Sequence, residues 1–239
     1  MSNVGHFKNK DNLMLPKKFT LILLSTLLFT YSSLSVADWF TSSETKELIT
    51  KADAGDSEAQ FKVGYAYDYG NGARSSSDKA KKYYSLAAQQ GHAEAQNSLG
   101  SIYQAEKSYA EAKSWYELAA AQNHPQGTNS LGNLYDLGLG VPQDRNKGFE
   151  LYSHAADLGL SEAMWNLAIM YGGGQIGKPD MLMACFWTVR AQKYDEHKNP
   201  KLSSYLDRAF SQLRNTLSGK DLTTCQQEAN SWSPKLVKQ

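Results

Sequence analysis

A tyrosine returns through the middle of the chain at positions 67, 103, 135 and 171, spaced by 36, 32 and 36 residues, and it brings its neighbours with it. Gly55, Ala59, Gln60, Val63 and Gly64 precede Tyr67, and Gly91, Ala95, Gln96, Leu99 and Gly100 precede Tyr103. Asn123, Leu131 and Gly132 precede Tyr135; Gly159, Ala163, Leu167 and Ala168 precede Tyr171. Each unit has a second half in register: Ala80, Tyr84, Ala87, Ala88; Ala112, Tyr116, Ala119, Ala120; Gly148, Tyr152, Ala155, Ala156; and, less faithfully, Ala184, Thr188, Ala191, Gln192. A unit this short cannot bury a hydrophobic face alone. Neighbouring units must stack it away, and a period in this range specifies an array of helix pairs.

The first half of a unit, helix A, sets Ala59, Val63, Ala66 and Tyr67 on one helical stripe. Gly64, Gly100, Gly132 and Ala168 lie inside these helices. Glycine there costs about 1 kcal/mol against alanine, so a close approach of another helix is the expected reason. Helix B opens at Ser76, Ser108, Asp144 and Asp180, whose side chains can accept from the free amides of a helix start. Ser108 and Glu111 are spaced as a capping box. Helix B closes at Gly91, Asn123, Gly159 and Asp195, three of the four being types that tolerate a left-handed cap. The glycine-rich loops at 70–72, 138–140 and 172–174 read as turns between A and B. No strand precedes them and no Lys-Ser/Thr pair follows in the spacing of a phosphate-binding loop.

Residues 55–194 resemble the Sel1-like repeat (SLR) family, a relative of the tetratricopeptide repeat. The third unit carries the family pattern most fully, with Leu131, Gly132, Tyr135, Gly138, Gly140, Val141, Asp144, Tyr152, Ala155, Ala156 and Gly159. The second unit departs from it by lacking four residues, and the Gly-x-Gly, between its helices. The fourth departs at Ala168 and Gln192. The resemblance implies an all-α, right-handed α-solenoid of about four helix-pair repeats at 55–90, 91–122, 123–158 and 159–194. An N-terminal half-repeat over 38–54 and a two-helix C-terminal cap within 195–239 complete the expectation.

Residues 1–37 read as a secretory signal. Lys17-Lys18 precedes an apolar run from Phe19 to Phe29, and Ser35-Val36-Ala37 offers small residues for cleavage before Asp38. Met14 is a second candidate start. The run is shorter than the ~20 residues of a span and contains Ser25 and Thr26, so no membrane span is expected after cleavage. The formal charge is +1; the leader holds four Lys and one Asp, so its removal leaves −2. Such a balance offers no basic field for nucleic acid. Trp39 to Ala54 reads as a lone helix with Leu48, Ile49 and Ala52 inward. At the other end, 193–201 reads as a loop and 202–217 as a helix. Ser218-Gly219 reads as a break, 221–232 as a last helix, and residues beyond Pro234 as loose.

Two cysteines stand in elements expected to pack together, Cys185 in the last helix B and Cys225 in the cap. In an oxidising compartment they would bridge; the alternative is two buried thiols. Five histidines show no metal spacing. His92 and His124, beside successive A-helix starts, read as solvated turn residues. No G-x-S-x-G or H-E-x-x-H motif is present. No catalytic residue, metal or cofactor is therefore assigned. Family members that bind or hydrolyse β-lactams carry a cysteine pair in every repeat, and two cysteines in the whole chain depart from that pattern.

What remains is a surface. In tetratricopeptide-like arrays the A helices line the inner face, which here presents Phe61, Tyr65 and Tyr69; Asn97 and Ser101; Asn129 and Asn133; Trp165 and Ile169. The aromatics could anchor a partner, and the asparagines could hold a peptide backbone; a solvated helix face and packing under the cap are the alternatives. The resemblance implies a periplasmic or secreted, non-enzymatic module that binds another protein as scaffold, regulator or inhibitor. A finer version is an immunity protein against a secreted phospholipase toxin.

Overall fold

The computed structural model describes residues 41–195 and 199–235, leaving the segment read as an export signal outside the described residues. Eleven helices and no strand occur among those residues. In chain order they are α1 (Ser43–Asp53), α2 (Ser57–Tyr69), α3 (Ser77–Gln89), α4 (Ala93–Ala105), α5 (Tyr109–Ala121) and α6 (Pro125–Leu137), then α7 (Arg145–Asp157), α8 (Ser161–Gly172), α9 (Met181–Tyr194), α10 (Pro200–Thr216) and α11 (Gly219–Ser231). The pairs α2/α3, α4/α5, α6/α7 and α8/α9 are the four A/B units, and each B helix also packs on the next A helix. The result is an all-α solenoid.

One device closes every unit. The carbonyl of the A-helix tyrosine accepts from the amide of the residue opening helix B: Ser76 to Tyr67, Ser108 to Tyr103, Asp144 to Tyr135 and Asp180 to Tyr171, at 2.8–2.9 Å. The short second loop keeps this bond by placing Lys107 at φ 62. Ser76, Asp144 and Asp180 cap their helices as expected. Ser108 makes no side-chain cap, so the capping box with Glu111 does not form. The truncated loop leaves Ser108 at ψ 68, out of the extended geometry that aims a capping oxygen at the first turn. At the far ends of helix B, Gly91, Asn123 and Gly159 take positive φ (88, 58 and 96). Asp195 does not, with φ −73; its carboxylate instead accepts from the Asn199 amide and the Ser203 hydroxyl at the start of α10.

The glycines inside helix A have a specific cause. A Cβ on Gly64, Gly100 or Gly132 would stand 2.6, 2.6 and 2.8 Å from the rings of Tyr84, Tyr116 and Tyr152. These B-helix tyrosines, each 1 % exposed, are the largest fully buried side chains. The A-helix tyrosines are shallower: Tyr67 is buried, while Tyr103, Tyr135 and Tyr171 are half-buried. Each deep phenol hydroxyl donates back to the helix it leans on. Tyr84 reaches Asp68, Tyr116 reaches Ser101 and Gln104, and Tyr152 reaches Asn133 and Asp136. Burial first, then Asp68 and Asp136 respectively, drives the Tyr84 and Tyr152 pKa values well above that of a free phenol.

Successive units are tied by buried amides. Gln60 donates to the Ala52 carbonyl and Gln96 to the Ala88 carbonyl, and their own oxygens accept from Gln90 and Gln122. Both carbonyls lie in the last turn of a helix, where intrahelical partners run out. This explains the Ala-Gln pair of the first two units.

The ends are closed differently. Ser42 is the N-cap of α1, accepting from the Thr45 amide, and its own amide binds the Gly72 carbonyl in the first unit's loop; Trp39, read as the helix start, lies outside the described residues. At the other end α10 and α11 pack against α9. Cys185 and Cys225 are bonded, with Cα atoms 6.0 Å apart. Ser218 caps α11 and does not merely break the chain. The tail then crosses back: Trp232 stacks edge-on against Trp187 and Tyr194, and Lys235 pairs with Asp157 through backbone and side chain. Arg190, 4 % exposed, lies under this strap with its guanidinium 3.4 Å from the Phe186 ring centre and 4.1 Å from that of Trp232. Burial lowers its pKa to about 10.

Candidate interaction face

In the first three units the deep tyrosine fixes which way the A helix is turned, and so which residues it leaves outside; in the fourth the buried Ala168 and Thr188 hold the same register. Three positions before the close-approach residue stand Phe61, Asn97, Asn129 and Trp165; one after it stand Tyr65, Ser101, Asn133 and Ile169; five after it stand Tyr69, Ala105, Leu137 and Gly173. Spacings of four keep each set on one helix face. Tyr65 (44 % exposed), Tyr69 (68 %), Leu137 (61 %) and Ile169 (41 %) are large apolar side chains left in solvent here. The Tyr65 and Tyr69 rings lie 4.4 Å apart. Leu137 was not among the expected residues. The sequence signal for it was the register itself, since it follows Asp136 as Tyr69 follows Asp68.

The polar members fare differently. Asn129, expected on the open face, is 3 % exposed, because α8 of the next unit places Asn166 over it and the Asn166 amide donates to its oxygen at 2.9 Å. Asn133 is half-buried and accepts from the Tyr152 hydroxyl at 2.7 Å. Ser101 is exposed. Asn97 is half-buried, and its Oδ1 is buried with no hydrogen-bond partner.

Hollows open beside these residues. One of about 400 Å³ lies between α1 and α2, against Thr45, Leu48, Phe61 and Tyr65. A polar one of about 370 Å³ is lined by Tyr69, Asn97, Ser98, Ser101 and Glu106. A third, of about 560 Å³, is bounded by Trp165, Ala168, Ile169 and Thr188 on the last unit and by Ala209 and Leu213 of α10. Trp165 is thus half-buried under the cap and faces a hollow as well.

The two aligned histidines are not solvated turn residues. His92 and His124 are the N-caps of α4 and α6, with Nδ1 accepting from the Ala95 and Gly127 amides at 3.3 and 3.0 Å. An imidazole nitrogen can stand in for the usual capping oxygen when it is unprotonated. Burial lowers the His124 pKa. His92 also contacts Glu58 at 3.0 Å and stacks on Phe61; this contact, then Lys62, holds the Glu58 carboxyl below its usual pKa. Among the described residues no group of three or more His, Cys, Asp or Glu could hold a metal ion.

The Sel1 repeat family matches residues 57–92, 93–124, 125–160 and 161–191. No curated protein matches the chain. Among solved structures it is similar to a Sel1 repeat protein from Oxalobacter formigenes, at 28% identity and TM-score 0.65, over 77% of this chain and 75% of that one. It is also similar to c5321, a protective antigen of uropathogenic Escherichia coli strains displaying an SLR fold. That match has 23% identity and TM-score 0.55, over 77% of this chain and 47% of that one, so the chain spans about half the antigen's length. With four matched repeats covering more than half of its residues, and with an architecture shared with solved repeat proteins, the chain belongs to the Sel1 repeat family.

Proposed function

We propose that the chain is an exported interaction protein of the bacterial envelope that grips a partner protein along its A-helix face. The observation that carries this reading is the set Tyr65, Tyr69, Leu137 and Ile169, exposed at equivalent registers of A helices whose remaining large apolar residues are buried or half-buried. Exposed aromatic and aliphatic side chains beside hollows are what a partner can desolvate for binding energy. The stretch between them is polar, with Ser101 exposed and Asn97 half-buried beside it. Sel1 repeats mediate protein–protein interaction, in agreement with this face. Export is supported by the Lys17-Lys18, apolar run and Ser-Val-Ala order, and by the Cys185–Cys225 bond. No helix of the described residues is long and apolar enough to cross a membrane. Inhibition of a secreted phospholipase is a finer form of the same reading and would use the same surface.

The test is photo-crosslinking in the periplasm. p-Benzoylphenylalanine at position 65, 137 or 169 should trap one discrete partner. The same probe at Leu86 or Leu118, exposed on B helices, should not. Trapping from the B-helix positions alone would place the partner elsewhere and refute the reading.

A further inference from the structure

The loop from α2 to α3 carries a reactive pair. It runs Gly70-Asn71-Gly72, the sole asparagine–glycine step of the chain. Asparagine loses ammonia when the nitrogen of the next amide attacks its Cγ. The step needs an amide free to lose its proton and a following residue with no side chain in the way. Asn71 is exposed, and Gly70 and Gly72 on either side of it take left-handed φ, 68 and 77. Among the described residues neither the Asn71 carboxamide nor the Gly72 amide makes a hydrogen bond. The other described asparagines differ. The amide after Asn146 donates to Asp144 and the one after Asn123 to the Ala119 carbonyl; Asn199 precedes a proline, which has no amide hydrogen; the rest are followed by residues inside helices.

We propose that Asn71 is a site of spontaneous modification, converting through a cyclic imide with Gly72 to isoaspartate and aspartate, and that the isoaspartate form releases α1 from the first unit. The Gly72 nitrogen gives up its proton and bonds to Asn71 Cγ; the Cγ–Nδ2 bond breaks and ammonia leaves with that proton. Water then opens the imide. Attack at Cγ breaks its bond to the Gly72 nitrogen and leaves aspartate. Attack at the main-chain carbonyl breaks the original peptide bond and leaves isoaspartate, with the chain running through Cβ and Cγ. The net change is an amide and water for a carboxylic acid and ammonia. Isoaspartate lengthens the main chain by one carbon, about 1.5 Å, at a place with no slack. The Gly72 carbonyl accepts from the Ser42 amide at 2.7 Å, and a Cβ on Gly72 would stand 2.6 Å from Thr45 Oγ1 and 3.0 Å from Ser42 Oγ. Those two residues form the capped start of α1. Asn71 also lines the 400 Å³ hollow between α1 and α2, so either product sets a carboxylate there beside Glu44. The chemistry is independent of what the A-helix face binds.

The test follows the folded protein through incubation at neutral and mildly alkaline pH. Peptide mapping by mass spectrometry, with fragmentation that separates isoaspartate from aspartate, reads each asparagine. Asn71 should convert first, faster as hydroxide rises, with isoaspartate among the products, while the other described asparagines stay intact. Hydrogen exchange on the same samples should show α1 losing protection in the isoaspartate fraction, with α4 to α9 unchanged. Asn71→Gln, which would need a larger ring, should stay unconverted and keep α1 protected. Asn71→Asp supplies the charge without the added carbon and should keep α1 protected too. Asn71 left intact in the folded protein, under conditions that convert the urea-unfolded chain, would overturn the proposal, as would another described asparagine converting as fast. Full α1 protection in the isoaspartate fraction, or its loss in Asn71→Asp, would overturn the claim that the lengthened chain releases the helix.

Discussion

Adding one methyl group at Gly100 should reverse its effect on stability according to what stands at position 116. Alone in a helix, Gly→Ala stabilises by about 1 kcal/mol. Here the new Cβ would lie 2.6 and 2.7 Å from two ring carbons of Tyr116. That ring is 1 % exposed, and its hydroxyl is tied to Ser101 at 3.2 Å and Gln104 at 2.9 Å. Moving it costs about 1–3 kcal/mol in overpacking and about 1 kcal/mol for each bond lost. The clash outweighs the propensity, so Gly100→Ala should destabilise by about 1–3 kcal/mol. In a Tyr116→Thr background the clash is gone, and the same methyl should stabilise by about 1 kcal/mol. The fourth unit, with Ala168 and Thr188, already shows the compatible pair. Urea unfolding of the four proteins, followed by far-UV circular dichroism, gives the double-mutant cycle, with an expected coupling of about 2–4 kcal/mol. A Gly100→Ala effect of the same sign and size in both backgrounds would refute the close-packing account of these glycines.

The disulfide closes a loop of 40 residues, so Cys185→Ser with Cys225→Ser should cost about 4 kcal/mol on the chain-entropy account; limited proteolysis should then cut first between α9 and α11, and unchanged cap resistance would contradict this. Burial depresses the His124 pKa, so the folded protein holds the ring neutral while the unfolded chain protonates first. Its stabilisation is full above the unfolded value of about 6.5 and is lost as pH falls through the folded pKa. Melting of His124→Asn, which caps without titrating, should depend less on pH over that window than the wild type; equal slopes would exclude the effect. Trp232→Ala removes the ring over Arg190 and its contacts with Trp187 and Tyr194. It should cost about 2–3 kcal/mol and release exchange protection in α11 before α2; uniform loss of protection would argue against a local strap.

The tyrosine spacing made the solenoid legible because one period constrains all four helix pairs at once. The depth of each tyrosine was not legible in the same way. The stripe pointed to the A-helix residues, whereas the glycine cradles make Tyr84, Tyr116 and Tyr152 the deep ones, and a cradle is a relation between two helices. Asn129 illustrates the same limit: its burial is decided by Asn166, a unit away. Ser108 looked like a cap by residue type, but a loop four residues shorter turned its backbone aside. His92 and His124 passed as turn residues because imidazole caps are less familiar than serine or aspartate ones. The two cysteines were readable as a pair only as far as their helices were expected to meet, and the structure joins them.

The central claim, that the A-helix face is where a partner binds, is tested most directly by measuring capture and melting on two paired variants. Tyr65→Ala with Ile169→Ala strips the A-helix face; Leu86→Ala with Leu118→Ala strips the exposed aliphatics of the B helices. None of the four is a core residue, so both proteins should melt within a few degrees of the wild type, in keeping with about 1 kcal/mol or less per surface truncation. With the partner trapped by crosslinking as the ligand, the first variant should lose at least about a hundredfold in affinity, equivalent to about 2.7 kcal/mol, and the second should bind as the wild type does. Undiminished binding by the first variant, with loss by the second, would contradict the account.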